Sequence, residues 1–146
     1  MSRRIAQCEL THLERQAICP DRAAKQHASY EQAIADAGLE IVRLPDLPEH
    51  ADAVFVEDTA VLLGEHAIIT RPGAGSRRAE ADSTARALED RFTVHRIERG
   101  RIDGGDVLRI GKTIYVGQSQ RTDCAGTVAL ANIAARLGYE VVPVEV

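Results

Sequence analysis

Two neighbouring carboxylates, Glu57 and Asp58, follow a strongly apolar run in the segment DAVFVEDTAV, and Asp52 precedes that run. Burying such groups costs on the order of several kcal/mol unless a cation pairs with them. A guanidinium suits this task because its planar fork of N–H donors matches a carboxylate in bidentate fashion. The segment therefore indicates either a site for a guanidinium or a solvated hairpin turn, and the residues alone leave both interpretations open.

A pair of arginines, Arg77 and Arg78, follows RPGAGS at the predicted start of a helix, and Arg121 in QSQRTD lies beyond the end of a predicted strand. The positive end of a helix dipole disfavours cations at the first of these places. An anion-binding role would explain the pair, although a solvated helix face is the commoner explanation.

A third polar segment, IDGGDVL, places two glycines between Asp103 and Asp106. Two adjacent glycines indicate a close approach of the backbone to another group, or positive φ angles that other residues rarely adopt. Such a loop can hold a carboxylate in place, and it can equally be a plain turn that leads into a hairpin.

Short β-like runs alternate with helical stretches, and these elements must position the three polar segments. Apolar residues at helical spacing predict helices over 21–37, 76–92 and 122–137. Turns at Gly64-Glu65 and Gly111-Lys112 predict two β-hairpins. The predicted strands cover 4–10, 39–45, 53–63, 66–70, 93–98, 106–110, 113–117 and 139–146.

The order of these elements repeats along the chain as strand, turn, strand, helix, strand. We predict three blade-like units, at about 1–46, 47–98 and 99–146, of which the first lacks one strand. Tandem units of this kind indicate a repeat architecture in which each unit buries one face against its neighbours. The same alternation is also typical of a generic α/β sandwich.

The composition excludes several classes of protein. The chain has 146 residues, 45% of them hydrophobic and 27% charged, as in an ordinary soluble domain. Basic and acidic residues are mixed and the net charge is −4, so we expect no nucleic-acid partner. The apolar runs are too short for a membrane span, and the N-terminus has no secretory signal. Three cysteines without a CxxC pair argue against a disulfide framework or a zinc ribbon, and we expect a cytoplasmic protein.

Three motifs together resemble one family. VFVEDTAVL, AIITRPGAGSRRAE and DGGDVLRIGKTIYVGQSQRT occur in the order found in dimethylarginine dimethylaminohydrolase, and LTHLERQ and QHASYEQAI resemble its bacterial members. The family belongs to the guanidine-modifying superfamily of amidinotransferases and arginine deiminases. The resemblance implies an α/β fold, a partial α/β propeller (pentein) built of ββαβ units, with about three of the five blades in this chain.

The resemblance also implies a chemistry. The family hydrolyses methylated arginine to citrulline and a methylamine through a Cys-thiouronium intermediate, with no metal or other cofactor. A cysteine thiolate attacks the guanidinium carbon, and a histidine acts first as general acid and then as general base. Covalent capture divides a difficult substitution into two easier steps.

When the family's residue roles are transferred by position, the resemblance implies that several residues of this chain would contact the substrate. Asp58 would bind the guanidinium with Glu57 beside it. Asp52 and the backbone of Leu10 would hold the α-amino group.

The remaining roles concern the other end of the substrate and the catalytic groups. Arg77 and Arg121 would clamp the α-carboxylate, a task suited to bidentate arginine contacts. Asp103 would orient the catalytic histidine. The small-molecule partner implied is a guanidino amino acid.

The chain departs from the family pattern at the reacting groups. In the family, the catalytic histidine and the nucleophilic cysteine come later than the position of Val146, and none of Cys8, Cys19 and Cys124 stands at the nucleophile's place. We therefore expect the N-terminal portion of such a hydrolase, inactive alone, and a homo-oligomer or a complementing C-terminal portion as partner. The alternatives are a non-catalytic arginine- or methylarginine-binding or oligomerising remnant, and a fragment of an arginine deiminase or a citrulline hydrolase.

Overall fold

The computed structural model describes residues 1–9 and 14–146. The chain divides into two compact units, an N-terminal unit over Met1–Val54 and a C-terminal unit over Phe55–Val146. In the described parts of the chain, no helix is long and apolar enough to span a membrane.

The N-terminal unit contains one long helix, α1, over Pro20–Asp36. Proline is well suited to the first turn because the N–H that it lacks would have no intrahelical partner there. The helix is followed by Gly38, whose φ of +82° is the left-handed conformation that ends many helices. The helix predicted over 21–37 is thus confirmed to within a residue.

The strand predicted over 39–45 is wrong, and so is the described part, residues 4–9, of the strand predicted over 4–10. Arg3–Gln7 forms a 3-10 turn in which the Ser2 hydroxyl accepts the N–H of Arg4. Residues 39–45 run beside α1, where the Arg43 guanidinium donates to Glu31 at 2.8 Å. A strand needs a neighbouring strand to satisfy its backbone, and the described part of this unit contains none.

The C-terminal unit consists of two ββαβ repeats, each with an antiparallel hairpin and a third strand parallel to the middle one. The first repeat comprises β1 (Ala60–Leu63), β2 (His66–Ile69), α2 (Arg78–Leu88) and β3 (Thr93–Arg96). The second comprises β4 (Val107–Ile110), β5 (Thr113–Gln118), α3 (Cys124–Arg136) and β6 (Glu140–Glu145).

Both hairpin turns were predicted correctly. Gly64 and Gly111 each have a φ of +60°, which glycine adopts without the steric penalty of a side chain. The predicted blade boundaries, between residues 46 and 47 and between residues 98 and 99, stay predictions.

The repeats share an apolar core made of residues from both sheets, from the segment between β3 and β4 and from α3, namely Leu63, Ile68, Ile97, Ile102, Ile114, Val116, Leu130 and Ala134. Helix α2 covers the other face of the first sheet, with Ala81 and Ala85 packed against Ile69. An isolated antiparallel bridge between Arg71 and Ile102 also links the repeats. It brings the loop after β2 beside the loop that precedes β4, and both loops carry polar segments singled out above.

Candidate active site

Asp58 is buried because the chain turns immediately before β1. Of the strand predicted over 53–63, only Ala60–Leu63 is a strand, and the apolar run before it ends in a 3-10 turn over Val56–Thr59. This turn is closed by a hydrogen bond from the Thr59 hydroxyl to the carbonyl of Val56 at 2.7 Å. The turn directs Asp58 inward, where it is 8% exposed, and leaves Glu57 exposed. The two adjacent carboxylates therefore have different environments.

Arg77 is the cation that pairs with Asp58. It ends the 3-10 turn Gly75–Arg77, directly before α2, and only 4% of it is exposed. Its Nη1 donates to Asp58, its Nε donates to Glu80 at 3.0 Å, and its Nη2 donates to the carbonyl of Phe55 at 3.0 Å. Burial alone would lower the pKa of Arg77, but Asp58 and Glu80 together raise it above its ordinary value.

The DGGD loop packs its glycines against the turn that carries Asp58. A Cβ on Gly104 would lie 2.0 Å from the carbonyl oxygen of Glu57, and one on Gly105 would lie 2.6 Å from Oδ1 of Asp58. The backbone N–H of Gly105 donates to that oxygen at 3.2 Å. Of the interpretations left open by the sequence, the structure supports a close backbone approach.

Asp103 is the most deeply buried carboxylate of this loop, with 2% of it exposed. It accepts the backbone N–H of Gly73 at 3.1 Å, and its Oδ2 lies 3.4 Å from Nη1 of Arg121. Burial raises the pKa of Asp103 above its ordinary value, although the hydrogen bond from Gly73 and the charge of Arg121 act in the opposite direction.

Arg121 connects the two aspartates of the DGGD loop. Its Nη2 donates to Asp106 at 2.7 Å, in addition to the contact with Asp103. The hydroxyls of Ser119 and Thr122 also donate to Asp106, at 3.0 and 2.6 Å. The Nε of Arg121 is buried and has no hydrogen-bond partner, which leaves one strong donor unsatisfied.

These groups form one cluster, called here the carboxylate–arginine cluster: Asp58, Arg77, Glu80, Asp103, Asp106 and Arg121. Four carboxylates and two guanidiniums make up this cluster, so full ionisation of these six groups gives them a net charge of −2. A net negative charge in a buried site favours binding of a cation. A buried guanidinium donor without a partner, in the same cluster, favours binding of an oxygen acceptor.

The remaining residues assigned from the sequence have other surroundings. Asp52 lies in the N-terminal unit, is 5% exposed, and accepts the backbone N–H of Glu9 at 3.1 and 3.2 Å. Leu10 lies outside the described residues. The structure thus gathers Asp58, Arg77 and Asp103 with Arg121.

Two members of the cluster were missed as site residues. Glu80 stands three positions after Arg77, which is helical spacing for an ion pair, and this signal was available in the sequence. Asp106 was part of a recognised motif but had no assigned role. Its contact with Arg121 joins segments that only the folded hairpin brings together.

The cysteines lie in other environments. Burial raises the pKa of the Cys8 thiol, and the negative charge of Asp52 raises it further. Cys19 and Cys124 are exposed. Among the described residues, no group of three or more histidine, cysteine or acidic side chains is arranged to hold a metal ion.

Replacing Gly104 by alanine is expected to destabilise the C-terminal unit. The new Cβ would overlap the backbone carbonyl of Glu57, which cannot move without disturbing the Asp58 turn. Overpacking of this kind costs about 1–3 kcal/mol. Urea unfolding measures the loss, and Gly75→Ala is the matched control because a Cβ there meets nothing within 4 Å. Equal stability of the two variants would contradict the close approach.

Replacing Asp103 by asparagine is expected to raise the free energy of unfolding at neutral pH. A carboxyl whose pKa is higher in the folded than in the unfolded state binds more protons when folded, so stability falls as the pH rises between these two pKa values. Asparagine removes this dependence and can still accept the N–H of Gly73. Calorimetric melting across that pH range tests the expectation, with the exposed Asp82→Asn as control. A fall in stability at neutral pH would contradict it.

Comparison with known proteins agrees with this architecture. The family model for eukaryotic N,N dimethylarginine dimethylhydrolase matches residues 6–146. The N(G),N(G)-dimethylarginine dimethylaminohydrolase of Streptomyces coelicolor is 41% identical over 99% of the chain, and that of Pseudomonas aeruginosa is 35% identical over 80%. The matches cover 57% and 47% of those proteins, so the chain spans about half the length of these curated relatives.

A solved structure extends the similarity to three dimensions. A cysteine-to-serine variant of the Pseudomonas aeruginosa enzyme, complexed with citrulline, superimposes with a TM-score of 0.93 at 31% identity. The superposition covers 99% of this chain and 58% of the other. The ββαβ repeats described above therefore have the α/β propeller (pentein) fold, of which this chain forms a part. The chain belongs to the dimethylarginine dimethylaminohydrolase family.

Proposed function

We propose that these residues form the substrate-binding part of a hydrolase that acts on the guanidino group of methylated arginine. The observation that carries the proposal is the carboxylate–arginine cluster, which combines an excess of negative charge with a buried guanidinium donor that lacks a partner. A guanidino amino acid offers what each feature requires, namely a cation at one end and a carboxylate at the other. The citrulline complex of the Pseudomonas aeruginosa relative supports the same class of ligand.

The guanidinium of the substrate is proposed to bind Asp58, with Glu57 beside it. Asp58 is held in place by the N–H of Gly105 and by Arg77, so its orientation is set before a ligand arrives. Preorganisation of this kind lowers the entropic cost of binding. Glu57 is exposed and adds negative charge near the same turn.

The α-carboxylate is proposed to bind Arg121 and Arg77. Arg121 is the better placed donor because its Nε has no partner and the side chain is 28% exposed. Arg77 adds a second buried positive charge, and its guanidinium is held in place by contacts with Asp58, Glu80 and the Phe55 carbonyl.

The α-amino group is proposed to bind Asp52 and the backbone of Leu10. The carboxylate of Asp52 accepts the N–H of Glu9 with both oxygens, which ties it to the backbone next to Leu10 in sequence. A carboxylate that is buried and already fixed by backbone contacts suits an ammonium group without further rearrangement.

Asp103 is proposed to orient the catalytic histidine that the family uses. A buried carboxylate can accept the N–H of an imidazole and stabilise its charged form during proton transfer. The Gly73 N–H and Arg121 hold Asp103 in one position, as such a role requires.

We also propose that the 146-residue polypeptide by itself binds its ligand without hydrolysing it. A cysteine that attacks the guanidinium carbon of a substrate does so as a thiolate, and a lowered pKa of the thiol favours that form. The pKa of Cys8 is instead raised, and Cys19 and Cys124 are exposed. Citrulline release by the purified polypeptide, at a rate abolished by Cys124→Ser, would overturn this part of the proposal.

Titration calorimetry tests the binding function. Dimethylarginine, arginine and citrulline are expected to bind, whereas norleucine, which keeps the α-amino acid group but has no guanidino or ureido group, is expected to bind far more weakly. The order of the first three ligands ranks the dimethylargininase, deiminase and citrulline-binding alternatives. Equal affinity for norleucine, or no binding of any ligand, would refute the proposal.

The second sheet has an apolar face that supports the proposal of a complementing portion. In the first sheet, Leu63 and Ile68 lie on the face that joins the core shared by the repeats. The hairpin register places Ile110 and Tyr115 at the equivalent positions of the second sheet, where they are 61% and 37% exposed. Leu108, opposite Tyr115, is 60% exposed.

We propose that a further ββαβ unit, supplied by a complementing portion, covers this face as the second repeat covers the first. Mixing the chain with the part of the Streptomyces coelicolor relative that it does not match is expected to give a complex on size exclusion that Leu108→Asp abolishes. Arg109→Asp, on the adjacent position of β4, is the control. Self-association of the chain alone through the same face would favour a homo-oligomer instead.

A further inference from the structure

Glu80 is a buried carboxylate for which the binding scheme above gives no role. It lies in the first turn of α2, is 3% exposed, and its Oε2 accepts the Nε–H of Arg77 at 3.0 Å. The same guanidinium donates to Asp58 through Nη1. Arg77 is therefore shared between two carboxylates, one of which faces the proposed ligand.

This sharing determines how much negative charge remains at Asp58. If Arg77 paired with Asp58 alone, the two charges would cancel and Asp58 would attract a second guanidinium only weakly. Because Glu80 is also bonded to Arg77, the three groups together keep one negative charge. At short separations inside a protein, a unit charge changes the binding of another charge by well over the thermal energy.

We infer that Glu80 is a specificity-determining residue, which compensates the charge of Arg77 so that Asp58 presents a net negative charge to a cationic ligand. The inference rests on the proposed function, since it assumes that Asp58 faces a guanidino group. It adds a property that binding alone does not require, namely a preference for a charged guanidino side chain over a neutral ureido side chain.

The second arginine of the cluster has the same arrangement. Arg121 contacts Asp103 and also Asp106, and Asp106 is fixed by two hydroxyl donors. Each arginine thus contacts one carboxylate with a proposed role in ligand binding or catalysis, which is Asp58 or Asp103. Each also contacts one further carboxylate that balances its charge, which is Glu80 or Asp106. The repetition of this pattern supports a role in charge balance in addition to helix stabilisation.

The ratio of two affinities separates charge balance from a purely structural role. Dimethylarginine and citrulline share the α-amino acid group and differ in the charge of the side-chain end. A loss of packing would weaken both ligands, whereas a loss of negative charge weakens the cationic one selectively. The quantity to measure is the Kd for citrulline divided by the Kd for dimethylarginine, by calorimetry on the full chain.

Glu80→Gln, which keeps the length of the side chain and removes its charge, is expected to lower this ratio about tenfold. Asp82→Asn, an exposed carboxylate on the same helix that pairs with Arg96, is expected to leave the ratio unchanged. An unchanged ratio in folded Glu80→Gln would overturn the inference while leaving the proposed function intact. Failure of the unmodified chain to bind either ligand would instead refute the proposed function, and the inference with it.

Glu80→Asp keeps the charge and shortens the side chain, so it covers the case in which Glu80→Gln does not fold. Its absolute affinities are expected to fall for both ligands, and the ratio is expected to stay within about twofold of the unmodified chain. Circular dichroism confirms folding, and trimethylamine N-oxide can be added to all proteins alike because it strengthens the folded state. A tenfold fall of the ratio in Glu80→Asp would contradict the charge-balance role.

Discussion

Replacing Arg77 by methionine is expected to lower the free energy of unfolding by about 3–5 kcal/mol, because it leaves two buried carboxylates without their cation. Asp58 and Glu80 are 8% and 3% exposed, so water cannot replace the lost contacts. Methionine fills much of the same volume, which limits the contribution of a cavity. Urea unfolding followed by circular dichroism measures the change.

Two controls identify the cause of this loss. Arg78→Met, on the adjacent exposed side chain, is expected to change stability by no more than about 0.5 kcal/mol. Adding Asp58→Asn and Glu80→Gln to Arg77→Met is expected to restore much of the stability, since the unpaired charges are then absent. A triple variant as unstable as Arg77→Met would show that packing, and not charge, accounts for the effect.

Replacing Asp58 by asparagine is expected to reduce the affinity for dimethylarginine about 100-fold, which corresponds to about 2.7 kcal/mol. Asparagine keeps the shape of the side chain and can accept the N–H of Gly105 through its carbonyl oxygen. It cannot provide the charge-assisted hydrogen bonds that a guanidinium requires. Calorimetry with dimethylarginine gives the change in affinity directly.

Citrulline provides the comparison within this experiment, because its ureido group is neutral and is expected to lose far less affinity in Asp58→Asn. Asp90→Asn, an exposed acidic residue after α2, controls for the change in overall charge. Equal losses for both ligands would mean that Asp58 acts on the shared amino acid group. No loss for either ligand would remove Asp58 from the site.

Elements stabilised by local interactions were predicted well from the sequence. The three helices have apolar residues at helical spacing, and Gly64 and Gly111 mark hairpins whose turns require a positive φ. The strands predicted over 4–10 and 39–45 depended on short β-like runs alone, and such a run forms a strand only when another strand lies beside it. The prediction that the apolar run before Asp58 is a strand was wrong for a related reason. Phe55 and Val56 are 39% and 46% exposed and do not enter a sheet.

Only part of the candidate site could be predicted, because its residues lie in sequence motifs but their contacts form only in the folded chain. Asp58, Arg77, Asp103 and Arg121 stand in motifs that the family resemblance singles out, and the structure brings them together. The pairing of Arg77 with Asp58, and of Arg121 with Asp103 and Asp106, joins loops that only the folded hairpin of each repeat brings together, and it could not be derived from spacing. The burial that raises the pKa of Asp103 is likewise a property of the folded chain.

The most direct test of the account is an NMR titration of the ¹⁵N-labelled chain with dimethylarginine, followed at two backbone amides. The N–H of Gly105 donates to Asp58 and that of Gly73 donates to Asp103, so these amides report on the two carboxylates at the centre of the cluster. Both are expected to shift with one common Kd, and the shifts are expected to disappear in Asp58→Asn at the same ligand concentration. Saturable shifts confined to residues outside the cluster, or shifts that persist unchanged in Asp58→Asn, would contradict the account.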